Sequence, residues 1–283
     1  MSVKLLKSPF EKSFKEVMRQ TKREITISSP FINNAGVSIL LDSIENVDNK
    51  RLNILTNLSA RNVGDNITQP SALLKLYNAF KETTVYSLSK LHAKVYIVDE
   101  SSAIITSANL TYGGLAANFE YGVLINDDDT IQNLKYDILA YASLGYIFDK
   151  LLLVQIEDIS QKIEHSYVKN KPNEEEMELQ KLLKRQQEVN KILVSKYDNK
   201  ETRHGIFTKT IMYILNRKNE MTIQDLYSFV QEIHPEMCDD SIEYHKEKRW
   251  KIEVRQALFY WERKGIVKTE GKPGHYIWKL VSK

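Results

Sequence analysis

Along the first half of the chain the apolar positions switch repeatedly between a helical and an extended period. Phe10, Phe14, Val17 and Met18 recur every three or four residues and predict an amphipathic helix. Ser8 as N-cap, Pro9 at the first helical position and Glu11 behind it fit that start. EITISS (24–29) is rich in β-branched residues and predicts a strand. Residues 31–44 read as mostly helix, with Val37, Leu40, Leu41 and Ile44 inward. RLNIL (51–55) is a second strand, followed by a polar loop over 59–69. Pro70 opens a helix through Phe80 that buries Leu73, Leu74 and Tyr77, and 84–88 is a short strand. Three strand-like runs follow at 93–98, 103–105 and 119–125, with a helix start at Thr111 between the last two, and then a helix over 130–146. Strands alternating with helices predict right-handed βαβ crossovers. The fold class is therefore α/β: a mostly parallel or mixed sheet flanked by helices on both faces, forming one domain over residues 1–150.

The pattern changes after 150. Residues 151–202 are strongly charged, with Glu157, Asp158, Lys162, Glu164 and the run Glu174, Glu175, Glu176, and Pro172 divides them into two helical pieces. Leu179, Leu182, Val189 and Leu193 form a narrow apolar stripe. A stripe this narrow suits a helix pair or a dimer contact, and equally a connector lying on one domain. Residues 203–283 read as a second domain. Phe207, Ile211, Ile214 and Leu215 mark one helix. Thr222, with Asp225 three residues on, starts a second that contains Leu226, Phe229, Val230 and Ile233. Trp250, Val254, Ala257, Leu258 and Trp261 mark a third that ends at Gly265, and 266–278 reads strand, turn, strand. Three helices followed by a hairpin resemble a small winged helix-turn-helix domain. The run RQALFYWERKGIV with its hairpin is similar to winged-helix modules of some modification-dependent restriction enzymes.

Charge changes this picture only locally. The whole chain of 283 residues carries a net charge of only +3. From Lys246 to Lys283, however, eleven bases stand against four acids, an excess of +7. Such an excess on a third helix and wing points to DNA, double-stranded by preference. The residues expected to face it are Lys248, Arg249, Lys251, Arg255, Lys268 and, at the hairpin tip, Lys272. Lys251 and Arg255 lie away from the Trp250, Val254 and Leu258 stripe. The single cysteine, Cys238, excludes an internal disulfide framework and points to a reducing compartment. The N-terminus lacks the apolar core of a secretory signal, and no run of 18 apolar residues exists, so a cytoplasmic protein without membrane insertion is expected.

The chemistry concentrates in residues 91–122. His92 and Lys94 are two apart, so on a strand they share a face. Asp99 closes that run. Ser107 and Asn109 share a face after the next, and Glu120 heads the third. This layout resembles the HKD motif of the phospholipase D superfamily, His-x-Lys, four residues, Asp, six residues, Gly-Ser-x-Asn. His92, Lys94, Asp99, Ser107 and Asn109 fall at the matching places, and Thr106 stands where the family usually has glycine. Glu120 matches the acid that orients the histidine in the family's small single-motif nucleases.

The resemblance implies a phosphodiesterase. His92 is the expected nucleophile, passing through a phosphohistidine. Glu120 is the expected acceptor for its other ring N–H. Lys94 and Asn109 are expected to bind phosphoryl oxygens. Ser107 is expected to donate to the same oxygens or to orient Glu120, and Asp99 completes the candidate set, with a structural role favoured. No metal and no cofactor enter this scheme. Asp127, Asp128 and Asp129 suit a helix N-terminus better than a magnesium site. The family's chemistry uses two motifs. His165, His204, His234, His245 and His275 all lack the right context, so a homodimer sharing one site across a two-fold axis is expected. The leading expectation is a metal-independent, restriction- or defence-type DNA endonuclease. The alternatives are a phospholipase or phosphatidyl transferase, and a non-catalytic DNA-binding regulator on the same scaffold.

Overall fold

The computed structural model describes residues 3–161, 174, 177–183, 203–238, 243–244, 247–271 and 276–281. The chain divides into two compact units, residues 1–185 and 186–283.

The first unit runs β1 (Val3–Lys7), α1 (Phe10–Met18), β2 (Glu24–Ser28), α2 (Asn34–Leu41), β3 (Arg51–Thr56), α3 (Ala60–Gly64), α4 (Pro70–Ala79), β4 (Glu82–Ser87), β5 (Val95–Val98), β6 (Ser102–Thr106), a five-residue π-helical turn (Gly113–Ala117), β7 (Tyr121–Ile125), α5 (Asp128–Ala142), β8 (Tyr146–Phe148) and α6 (Lys150–Ser160). The strands form one sheet in the order β1-β7-β6-β5-β2-β3-β4-β8. The central β2, β3 and β4 are parallel, joined by the helical crossovers that the alternating pattern predicts. The other neighbours are antiparallel, so the sheet is mixed.

Both faces of the sheet are covered, which is why its central strands read as unbroken apolar runs. Along β5, Tyr96 and Val98 enter a large cluster with Phe10, Phe14, Ile25 and Ile54. Val95 and Ile97, one residue out of phase, enter a second cluster with Ile131 and Ile138 of α5. Asp127 caps α5, its carboxylate accepting from Thr130 N at 3.2 Å, so the three aspartates open a helix as read.

Several boundaries move. Pro9, not Ser8, occupies the N-cap of α1, because the Ser8 hydroxyl is engaged across the sheet edge. α2 starts late, at Asn34, where the Asn33 side chain accepts from Gly36 N at 2.9 Å. Thr111 does cap a turn, accepting from Gly114 N at 3.0 Å, but the turn ends at Ala117 and never becomes an α-helix. The linker expected from 151 begins as α6, whose Leu152, Leu153, Ile156 and Ile159 lie in the first unit's core. Its Glu157 accepts from Ser71 N at 2.8 Å, capping the first turn of α4. Leu179 and Leu183 join the same core. Val189 and Leu193, the rest of the predicted stripe, lie outside the described residues, as does Pro172.

The second unit runs α7 (Arg203–Lys218), β9 (Glu220–Thr222), α8 (Ile223–Ile233), α9 (Pro235–Cys238), β10 (Glu243–Tyr244), β11 (Glu247–Lys248), α10 (Arg249–Arg263), β12 (Val267–Glu270) and β13 (Ile277–Leu280). Thr222 caps α8 as its spacing with Asp225 predicts: the hydroxyl donates to Asp225 Oδ2 at 2.7 Å and accepts from Asp225 N at 3.2 Å. The expected hairpin of β12 and β13 is present, and β9 adds a third antiparallel strand to it. Phe207, Ile211, Leu226, Val230, Val254, Leu258 and Trp278 form the buried interior. His234 is buried among them, its Nε2 2.8 Å from Thr210 Oγ1, and burial pushes its pKa down to about 3.

Candidate active site

His92, Lys94, Ser107, Asn109 and Glu120 come from three segments that meet at one end of the sheet. His92 and Lys94 lie on the extended approach to β5, Ser107 and Asn109 in the loop after β6, and Glu120 immediately before β7. The ladder fixes this meeting. Thr106 pairs with Gly122 on β7, and Thr106 N donates to Lys94 O at 3.1 Å.

Thr106 fills the family's glycine position without opening the turn. Its hydroxyl donates to Tyr121 O at 2.9 Å and accepts from Ala108 N at 3.1 Å. The glycine instead stands across the ladder. A Cβ on Gly122 would come within 2.8 Å of Thr106 Cβ, so the pair needs one small member and the chain places it on β7. The Asn109 loop is held as closely. A Cβ on Gly114 would come within 2.4 Å of Asn109 O, so only glycine lets the 113–117 turn pack against that backbone.

Lys94 is buried, at 7% exposure, although it carries a charge. Its ammonium donates to His92 O at 2.9 Å and lies 3.4 Å from His92 Nε2. Burial pushes the Lys94 pKa down, and the charge of Glu120 pulls in the opposite direction. His92 itself is exposed and open to a ligand. Beneath them Tyr96 is fully buried, its hydroxyl donating to Ala108 O at 3.0 Å and its ring edge-on to Phe14 at 5.1 Å. Burial raises the Tyr96 pKa, so this hydroxyl serves as a fixed post under the loop.

Glu120 is held from three sides. Its carboxylate accepts from the Ser107 hydroxyl and, at 3.3 Å, from Asn118 Nδ2. Its backbone N–H donates to Ser8 Oγ at 2.7 Å. The carboxylate thus engages Ser107 where an approach to the His92 ring was expected, which gives Ser107 the orienting role. Ser8 and Asn118 escaped the sequence reading. Ser8 was assigned to a helix cap, and Asn118 has no motif position. Asn109 has its side-chain oxygen buried without a partner among the described residues. That oxygen only accepts; turning the amide over would present its N–H groups to a ligand's oxygen instead.

Asp99 is not part of the cluster. It follows β5 at the far end, roughly 15 Å or more away at the ordinary rise of a strand. There its carboxylate accepts from the backbone N–H groups of Lys22, Arg23 and Glu24, the latter two at 2.8 Å. Asp99 anchors the entry to β2, a structural role.

The cations expected to face DNA sit differently. Arg255 was read as free, but its guanidinium donates to both carboxylate oxygens of Glu247 at 2.5 and 2.6 Å and to the Tyr227 hydroxyl at 2.6 Å. The planar fork matches a carboxylate, so a nearby glutamate captures it. Arg249 donates to Glu253 at 3.0 Å, and Glu253 also takes the buried Arg203. Lys268 pairs with Glu270 at 2.9 Å. Lys251 lies 5.2 Å from the Tyr227 ring centre and 5.7 Å from that of Trp250. Lys248 occupies the N-cap of α10, and Lys272 lies outside the described residues.

With this geometry in view, residues 14–140 match the family described as "Cardiolipin synthase, PLD-like domain". The matched stretch contains every member of the cluster. Among curated proteins, the DISARM protein DrmC of Bacillus paralicheniformis is 30% identical over 117 residues, which is 41% of this chain and 42% of that protein. The chain therefore spans under half the length of this relative. Among solved structures, the phospholipase D family member Nuc from Salmonella typhimurium shares 18% identity over 52% of this chain and 97% of its own, with a TM-score of 0.42. NucT from Helicobacter pylori shares 15% identity over 49% and 93%, with a TM-score of 0.38. No described helix is long and apolar enough to cross a membrane.

Proposed function

We propose that this chain is a phosphodiesterase that cleaves DNA through a phosphohistidine on His92. The observation that carries the reading is the buried Lys94 ammonium, 3.4 Å from Nε2 of an exposed histidine. A cation held in a dry place beside a nucleophile suits a phosphoryl group in flight. In the first step a ring nitrogen of His92 attacks phosphorus, the bond from phosphorus to the leaving oxygen breaks, and an acid protonates that oxygen. In the second step the conjugate base of that acid takes a proton from water as the water attacks phosphorus, the bond to the nitrogen breaks, and the ring and the acid are both restored. Lys94 stabilises the charge on the non-bridging oxygens. Asn109, turned with its amide toward them, adds a donor. Ser107 holds Glu120, whose charge acts through space on Lys94.

The scheme needs a second acid, and the chain carries one such motif. A homodimer whose partner supplies its own His92 completes it. The residues in this scheme supply the nucleophile and the charge without a metal. The second unit, with helices α7, α8 and α10 and a three-stranded wing, supports a winged-helix role in which Lys248, Lys251 and Lys272 reach DNA, in a cytoplasmic protein. The domain plan is then a nuclease unit, a helical connector and a DNA-binding unit. A relative named for a DISARM system supports a place in defence against foreign DNA.

The test incubates the full chain with supercoiled plasmid in EDTA, beside His92→Ala. Nicking or linearisation by the wild type alone is expected. Turnover of phosphatidyl lipid with intact plasmid would move the substrate to a phospholipase, and plasmid binding unchanged in the variant without cutting would leave a regulator.

A further inference from the structure

Helix α10 turns outward a stripe that carries no lysine and no acid. Trp250, Val254, Ala257 and Leu258 are buried on its inner side. At the helical period the opposite side is made of Ile252, Gln256, Phe259 and Arg263, recurring every three or four residues. Gln256 and Arg263 are exposed, and Ile252 is half-buried. Phe259 keeps 47% of its surface in water, although its ring lies edge-on to Trp278 at 5.6 Å. The acids of the helix point elsewhere. Glu253 takes Arg203 and Arg249, and Glu262 accepts from the Thr269 hydroxyl at 2.6 Å. The cations Lys251 and Arg255 lie on the flank that meets Tyr227. Among the described residues nothing hydrogen-bonds the Gln256 amide.

We propose that Gln256 reads an A·T pair through the major groove of duplex DNA, with Ile252 and Phe259 set against the thymine methyl. This rests on the DNA-binding reading of the second unit and adds the residues that choose the sequence. Contacts to phosphate fix a protein on the duplex but carry no sequence information, whereas contacts to base edges do. An uncharged stripe bordered by cations divides these two tasks. The excess of eleven bases over four acids between Lys246 and Lys283 draws a polyanion to the surround, and the stripe sets no acid against it. A glutamine amide holds a donor and an acceptor side by side, which matches N7 and N6 of adenine. Apolar side chains one turn to either side suit the methyl that marks thymine in the groove. A second copy of the chain fits the stripe less well. A two-fold contact there would bury the Gln256 amide at its centre and bring the basic surround of each copy against the other.

The test is selection from a library of randomised duplexes by the full chain carrying His92→Ala, so that binding is read without cleavage. The selected duplex is then remade with 7-deaza-adenine, which lacks N7, or with uracil for thymine, which lacks the methyl. An A·T pair is expected at a fixed position of the selected sequences. The deaza change at that pair is expected to weaken the parent about tenfold, the order of one good base contact. The uracil change is expected to weaken it about threefold, the worth of one buried methyl. Adding Gln256→Ala should make the deaza change neutral, and adding Phe259→Ala should do the same for the uracil change. Gln256→Arg is expected to select G·C at that position, because its fork fits O6 and N7 of guanine. One sequence selected alike by the parent and by Gln256→Arg overturns the proposal, as does no duplex binding by the parent. A fall in sedimentation mass in Phe259→Ala with selection unchanged assigns the stripe to a second copy and overturns it as well. The two readings fail separately. Duplex binding without sequence preference, in a wild type that cuts plasmid, leaves the nuclease and removes the role of Gln256. A preference that Gln256→Arg shifts, in a wild type that cuts nothing, leaves the role of Gln256 and removes the nuclease.

Discussion

Lys94 in the first unit and Arg255 in the second are both cations that the sequence singles out; Lys94 is buried, and Arg255 is about one-third exposed. Their partners differ. The Lys94 ammonium meets a backbone carbonyl and the ring of His92, while Glu120 acts on it only through space. Arg255 is neutralised by a two-pronged contact with Glu247 and held again by Tyr227. A desolvated cation without a direct carboxylate keeps its charge for a ligand, and its lowered pKa records the strain of that position. A cation locked to a carboxylate serves the fold. Burial of charge alone therefore marks neither a site nor a scaffold, and the partner decides between them.

The largest effects should separate these two kinds of cation most sharply. Lys94→Met is expected to lower cleavage about 10²–10³-fold, the usual loss on removing one stabiliser of transition-state charge, while the melting temperature holds or rises because a buried charge is gone. A variant that melts early with its activity intact would place Lys94 with Arg255, as scaffold. Arg203→Met is expected to do the reverse. It leaves Glu253 with 15% side-chain exposure and, among the described residues, Arg249 as its remaining partner, and should cost roughly 3–5 kcal/mol in the denaturation of the second unit. Unchanged stability would show that Arg249 suffices.

Arg255→Gln and Lys251→Gln sharpen the comparison inside the second unit. The Arg255 pair is about one-third exposed, with side-chain values of 33% and 34%, so screening limits its loss to about 1 kcal/mol of stability. Lys251→Gln is expected to spare stability and to weaken duplex binding about threefold, with a shallower salt dependence. Equal losses of DNA affinity in both variants would show that the Glu247 contact opens on binding.

A pH dependence also separates the two units. The pKa of His234 is about 3 in the folded chain, against an ordinary 6.5. The unfolded state therefore binds the extra proton first. The contribution of His234 is complete above pH 6.5 and is lost as pH falls from there toward 3. Thermal melts across that range should show the second unit weakening more steeply than the first, and His234→Gln should flatten the difference.

What the sequence revealed depended on how firmly each signal was tied to geometry. His92, Lys94, Ser107, Asn109 and Glu120 meet because the two-residue period of a strand and the ladder between β6 and β7 bring distant positions to one sheet end, whereas Asp99 lies at the other. The βαβ crossovers and the cap at Thr222 were legible for the same local reasons. The cations of the second unit were not, because a count of bases says nothing of which carboxylate lies opposite. Glu247 lies eight residues before Arg255, on the short strand that leads into α10, and no helical spacing announces it. Strands β1 and β8 were missed because both lie at sheet edges, where Val3 and Leu5 face outward and the alternation loses its meaning. Ser8 shows a further limit. A serine before proline fits a helix cap so well that its contact with Glu120, 112 residues away, leaves no trace in the local pattern.

The central claim is that His92 becomes covalently attached to phosphorus, and trapping that bond tests it most directly. Wild type and His92→Ala would be mixed with an oligonucleotide carrying radioactive phosphate, quenched in alkali, where a phosphoramidate on histidine survives, and digested for mass spectrometry. The account predicts label on the peptide that contains His92 in the wild type and none in the variant. Cleavage by the wild type without label on any peptide, or with label on a residue other than His92, would contradict it.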